Sequence, residues 1–297
     1  MFGTAVSRLV VDTLLAESPL GLPDPAIRHY RVDVVVTLLG VPIFSRKAVG
    51  AAFATLREAV NGDRKIVALQ FAGGANPERT HGLRYGGSVE EAIVERASSR
   101  TQAAYFGFVT HSKDENFEQA RQRILDKAKP SGGYTAAQGV HTVGSARCEK
   151  TSVSLPDQHR SLPELIQQIR ENFYAADRIS TELQTPGNTA VSTFLYSVLS
   201  AVRSPESHSQ IGYVHNATEY RLDWERTNEQ HTGATITRFT GRILAASAHR
   251  LSTFRLWLDN QSDLPLRIEF QPRSYLRLSL ECEPAETRPT NFSTEET

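Results

Sequence analysis

LSTFRLWLDNQSDLPLRIEFQPRSYLRLSLEC, residues 251–282, alternates apolar and polar side chains through three short runs. Phe254, Leu256 and Leu258 form one apolar row; Leu264, Leu266, Ile268 and Phe270 form the next; Leu276, Leu278 and Leu280 form the third. Neighbouring side chains on a strand point to opposite faces, so a period of two marks strands with one buried face. Asp259-Asn-Gln-Ser-Asp263 and Gln271-Pro-Arg-Ser274 are rich in turn formers, which makes the stretch an antiparallel meander. A slip of one residue would turn a whole apolar row to water. The expected register therefore sets Leu258 against Leu264, Leu256 against Leu266, Phe270 against Leu276 and Ile268 against Leu278. On the other face it puts Glu269 beside Arg277, a favourable pair, and Arg255 beside Arg267, an unfavourable one. Water or a nearby carboxylate accounts for such opposed arginines better than an anion site does.

Working outward, the segment from His29 to Gly40 is rich in β-branched residues, and Gly40, Pro42 and Gly50 suit a bend or bulge in a long strand. Gly50 to Val60 and Lys65 to Ala72 flank Asn61-Gly-Asp63, a strong hairpin signal. Ser88 to Ala97 and Gln102 to Thr110 flank Ser98-Ser-Arg100 in the same way. Helical spacing runs from Glu115 to Lys129 behind Asp114, and from the capping box Ser161/Glu164 through Phe173. Val191 to Val202 is apolar enough for a core helix, after which Tyr213, Glu219 to Glu225 and Thr235 to Ala246 regain strand character. Residues 1–25 read as a short amphipathic helix and a Pro-rich linker, 26–283 as one α+β domain, and 284–297 as a polar, disordered tail. The expected fold is a strongly curved antiparallel β-sheet, a half-barrel, with helices packed on its concave side.

Composition narrows the function classes. Thirty-three basic and thirty-three acidic residues cancel at a pI near 7.1, without the basic excess of a nucleic-acid binder. No apolar run is long enough to cross a bilayer as a helix. Arg8 and Asp12 interrupt the first apolar run, so no intact secretory signal is expected. Cys148 and Cys282 are too few for a disulfide framework; they pair only if their strands are neighbours, and separate thiols are the expectation.

Residues Val191 to Arg203, Tyr213 to Leu222, Thr240-Gly-Arg-Ile243, Phe254-Arg-Leu-Trp-Leu-Asp259 and Leu264-Pro-Leu-Arg-Ile-Glu-Phe270 together resemble an uncharacterised bacterial envelope family. Its pattern is a "leucine-tyrosine" helix, a strand pair, a glycine turn, a "Trp-Leu" strand and a "Pro-Leu-Arg-Ile" strand. Such proteins resemble the lipoprotein carriers LolA and LolB, whose half-barrel holds acyl chains. The resemblance covers the last third of the chain and, loosely, His29 to Ser45, while the region near 75–185 has no counterpart. It implies a periplasmic or envelope-associated protein and brings no catalytic residues.

Candidate chemistry yields to plain structure throughout. Phe71-Ala-Gly-Gly-Ala-Asn-Pro-Glu78 lacks the lysine and spacing of a phosphate loop, and no Gly-X-Ser-X-Gly elbow occurs. The nine histidines show no compact ligand spacing, so no metal or cofactor is expected. Cys148 with His141 lacks an orienting third group. Asp223 and Glu225 share a strand face that reads as solvated rather than as an acid/base pair, and the Glu90-Glu91 carboxylates point apart. The expectation is a non-catalytic protein that binds a lipid or other apolar small molecule in a groove walled by Phe254, Leu256, Leu266, Ile268 and Leu278. The alternatives are a structural or interaction protein whose core is filled by its own helices and, third, an uncharacterised hydrolase. Cavity volume separates the first two.

Overall fold

The computed structural model describes residues 26–38, 41–61, 64–76, 79–80, 85–95, 101–111, 134–143, 147–156, 179–183, 193–215, 218–231, 234–245, 248–259 and 262–283. Their strands are β1 (Ala26–Leu38), β2 (Val41–Asn61), β3 (Arg64–Ala75), β4 (Tyr85–Glu95), β5 (Thr101–His111), β6 (Tyr134–Val143), β7 (Arg147–Pro156) and β8 (Ile179–Leu183). One helix, α1 (Phe194–Arg203), precedes β9 (His208–His215), β10 (Thr218–His231), β11 (Ala234–Ala245), β12 (Ala248–Leu258), β13 (Arg267–Arg273) and β14 (Leu276–Cys282). The expected helices over 115–129 and 161–173, the segment 1–25 and the tail lie outside the described residues.

All fourteen strands belong to one sheet in the order β8-β7-β6-β5-β4-β3-β2-β1-β14-β13-β12-β11-β10-β9. Every neighbouring pair is antiparallel, as hairpins between sequential strands require. The strands between residues 75 and 185 extend this same sheet. No ladder closes β8 onto β9 among the described residues.

The sheet is rolled, and α1 shows by how much. Strands β4 and β9 are nine neighbours apart, about 43 Å on a flat sheet at ~4.8 Å per strand. Yet Glu91 of β4 bonds the amide of Leu195 at 2.7 Å, while Phe194 lies 5.5 Å from the ring of Tyr213 on β9. Only a rolled sheet brings β4 and the edge strand β9 to one helical turn. The helix divides the apolar interior into two clusters. Leu199 packs with Tyr30, Ala54, Leu56, Val67, Leu69, Leu264 and Leu280, and Ala201 packs with Tyr213, Leu222, Trp224, Phe239, Phe254, Leu256 and Leu258. Ser197 and Ala201, both fully buried, let neighbouring side chains approach the helix closely.

The meander of the last three strands corrects the expected register by two residues. Leu256 faces Ile268, Phe254 faces Phe270, and Phe270 faces Leu278. Pro265 brings no amide to a ladder, so β13 begins only at Arg267. Residues before it form a turn in which the Ser262 amide donates to Asp259 and the Leu264 amide to the Ser262 hydroxyl. A slide of two preserves faces, so the apolar rows stay buried while the polar partners change. Glu269, not Arg267, stands opposite Arg255, and Ser279, not Arg277, stands opposite Glu269.

The bend read at Gly40 is a full reversal between β1 and β2. The change of direction lies further on, where Val32 pairs with Gly50 but Val34 pairs with Arg46. Ala48 in this bulge has φ 54°, and its amide donates to Asp33 at 2.8 Å. A Cβ on Gly50 would stand 2.3 Å from the carbonyl oxygen of Gly74, so only glycine lets β2 and β3 meet there.

Candidate functional site

The five expected groove residues lie on β12, β13, β14 and the turn before β13. Phe254 and Leu256 are buried in the cluster around Ala201, and Phe194 of α1 meets Phe254 edge-on at 6.3 Å. Ile268 packs against both clusters, and Leu278 packs against the cluster around Leu199. Leu266 is half-buried and belongs to neither; its backbone links β12 and β14 through Trp257 and Cys282. Four of the five therefore converge, and what they converge on is the protein's own helix.

A carboxylate holds that helix in place. Thr193 precedes α1 but makes no capping bond from its side chain. Its hydroxyl instead donates to Glu91 at 2.5 Å, and Glu91 also accepts the amides of Leu195 at 2.7 Å and Tyr196 at 2.8 Å. The orphan N–H groups of the first turn are thus satisfied by a residue of β4, 102 positions away in sequence from Thr193. Burial pushes the Glu91 carboxyl up to about 7, against the pull of these hydrogen bonds toward the anion. At the other end of α1, Arg203 forms a fork on Glu58, 2.7 Å for each bond, and reaches Asp263 at 2.6 Å. The Arg203 fork, opposed by partial burial and aided by Lys65, holds the Glu58 carboxyl down to about 2. Both ends of the helix are clamped to strands.

The signal for Glu91 was present in the sequence as a carboxylate within the apolar row Val89, Ile93. Glu90, on the opposite face, accepts a bond from Gln70 at 2.9 Å. On the sheet's outer face Glu269 accepts from Arg267 at 2.6 Å and from Arg255 at 3.4 Å, so the two arginines share a nearly buried carboxylate. Arg267 also stacks 4.9 Å above Trp257.

A cavity of about 610 Å³ lies on β9, β10 and β11, lined by His208, Gln210, Asp223, Glu225, Thr240 and Arg242 among others. Register pairs Asp223 with Gln210 and Arg242, and Glu225 with His208 and Thr240, so these polar residues share one face. Trp224, which also lines the cavity, and Leu222 alternate with them and pack in the cluster around Ala201. Asp223 is engaged by Arg221 at 2.8 Å. Among the described residues no group of three His, Cys, Asp or Glu is placed to hold a metal ion. Cys282 is a free thiol, and six strands separate its strand from that of Cys148. Register sets Cys148 opposite Thr142 and His141 opposite Glu149, one position out of step. No helix among the described residues is long and apolar enough to cross a membrane.

No protein-family model matches the sequence, and no curated protein matches it. Among solved structures the chain is similar to a beta-barrel-like protein of domain of unknown function DUF1849 from Brucella abortus. The identity is 6%, the match covers 87% of this chain and 95% of that one, and the TM-score is 0.41. A likeness at this level assigns neither family nor function.

Proposed function

We propose that this protein is a non-catalytic interaction protein of the bacterial envelope, a rolled sheet stiffened by its own helix that works through its surface. The observation that carries the reading is α1 lying against the apolar faces of Phe254, Leu256, Ile268 and Leu278. In the carriers that the envelope family resembles, a half-barrel covered by helices holds acyl chains. Here the apolar face available for one is taken by Phe194, Leu195, Val198, Leu199 and Ala201. The cavity on β9, β10 and β11 is lined by charged and polar side chains together with Trp224. The envelope setting rests on the sequence resemblance alone.

Native mass spectrometry of the purified chain, with lipid extraction and titration of a fluorescent fatty acid, separates this from lipid carriage. The expected result is protein without co-purified lipid and no saturable uptake. Stoichiometric lipid, or uptake lost on Leu256→Asp in a variant that still folds, overturns the scaffold reading and restores the groove.

A further inference from the structure

Eight large apolar side chains are prominently exposed among the described residues, and six of them gather at one end of the sheet: Leu38, Val41, Ile43, Phe44, Leu251 and Tyr275. Register explains the gathering. The β1–β2 reversal, the β13–β14 turn and the start of β12 all lie at this end, with Val36 opposite both Phe44 and Leu276. Thr37 ties the two hairpins together by donating its amide to Tyr275 and its hydroxyl to Ser274. Strand β3 pairs with β2 only from Gly50 onward, so residues 41–48 project past it.

The projecting ribbon is apolar at its tip. By register Leu38, Val41 and Phe44 lie on the face of Val36, Ile43 is the extra residue of a bulge opposite Val36 and Thr37, and the four are 50% to 62% exposed. An apolar tip backed by basic residues suits an anionic bilayer surface. The charges behind it are mostly positive, with Asp33 at the bulge engaged by Arg31 and the Ala48 amide. Residues 34–48 and 271–277 contain Arg46, Lys47, Arg273 and Arg277 and no acidic residue, in a chain whose total charge is zero. From Val41 to Phe44 the ribbon spans roughly 10 Å at ~3.3 Å per residue, comparable to the roughly 5–10 Å to which interfacial segments sink. Arg46 follows two residues on, at the height of lipid headgroups.

We infer that the β1–β2 tip, with Tyr275 beside it, inserts into the surface of an anionic phospholipid bilayer and that Arg46, Lys47, Arg273 and Arg277 bind its headgroups. This deepens the scaffold reading by naming the partner, and it rests on that reading only for the premise that the surface, not a pocket, is the working part.

The test is co-sedimentation of the full chain with vesicles of phosphatidylcholine alone or with phosphatidylglycerol added. Anionic vesicles should capture the protein, and salt should weaken the capture. Ile43→Asp with Phe44→Asp should reduce binding about tenfold or more. Arg273→Gln with Arg277→Gln should reduce binding to anionic vesicles alone, by about fivefold per arginine. Val60→Asp, at the opposite end of the sheet and 68% exposed, should change nothing. All five positions are solvent-facing or half-buried, and matching thermal melts check that the variants fold. The inference is overturned by absence of binding, by equal binding to neutral vesicles, or by binding that survives Ile43→Asp with Phe44→Asp. Self-association that this double variant abolishes, without vesicle binding, also overturns it in favour of a second copy. None of these outcomes touches fatty-acid uptake, so the scaffold reading stands or falls separately.

Discussion

Replacing Glu91 by glutamine should invert the order of stability between variant and wild type as pH rises. In the folded chain the carboxyl is buried and binds its proton near pH 7, against 4.5 when unfolded. Between those values the folded state holds more protons than the unfolded state, so wild-type stability falls as pH increases. At about 1.4 kcal/mol per pH unit of difference, the loss from pH 5 to pH 8 is roughly 2 to 3 kcal/mol. Glutamine cannot ionise, so its curve lacks this loss. It has its own cost: its NH₂ brings two hydrogens where the protonated carboxyl brings one, into a site where the Thr193 hydroxyl and the Leu195 and Tyr196 amides already donate. One buried donor left without an acceptor costs about 1 to 3 kcal/mol. Glu91→Gln should therefore be less stable than wild type by about 2 kcal/mol at pH 5 and equal or more stable at pH 8. Urea unfolding read through Trp224, which is buried and stacked 5.4 Å from Phe239, measures both curves. The two chains share every other ionisable group, so the difference isolates position 91. A stability gap that stays constant from pH 5 to pH 8 refutes the assignment of a proton to this carboxyl.

Three further outcomes follow from the geometry. Glu58 is held low by Arg203, so its contribution is present above the unfolded pKa and disappears as pH falls from about 4.5 toward about 2; Arg203→Met should remove about 1 to 2 kcal/mol at neutral pH after solvent screening, and less in high salt, by urea denaturation. Gly241→Ala puts a Cβ 2.3 Å from ring atoms of Phe254, a ring hemmed in by Phe194 and Phe239, and should cost about 1 to 3 kcal/mol; a double-mutant cycle with Phe254→Leu should recover part of it. Ala48→Gly relieves a left-handed backbone at φ 54° and should stabilise by up to about 1 kcal/mol, while Asp33→Ala, which removes the acceptor of the Ala48 amide, should destabilise; thermal melts of both distinguish the bulge from a casual loop.

The hairpins around 61–64 and 95–101 and the last three strands were legible because alternation and turn residues agree there. Strands β6, β7 and β8 were not: YTAAQGVHTV and RCEKTSVSLP carry few large apolar residues, and period two shows only where one face is greasy. The register of β12 on β13 was off by two because faces depend on odd or even position alone, whereas the turn length is set by Pro265, Ser262 and Asp259. Helix α1 was readable as a helix, but sequence patterning does not say which strands it will lie between. That depends on how tightly the sheet rolls, and no short motif encodes it. Glu91 illustrates the same limit, since its three donors sit more than a hundred residues downstream and only the assembled fold brings them to it.

The seam between β1 and β14 has a kinetic meaning. Every other ladder joins strands adjacent in sequence, whereas this one sets Tyr30 opposite Cys282 and Val36 opposite Leu276. On a ribosome the first strand must therefore wait, one edge bare, until the last hairpin emerges. Its partner-free interval is the moment at which a chaperone has most to do.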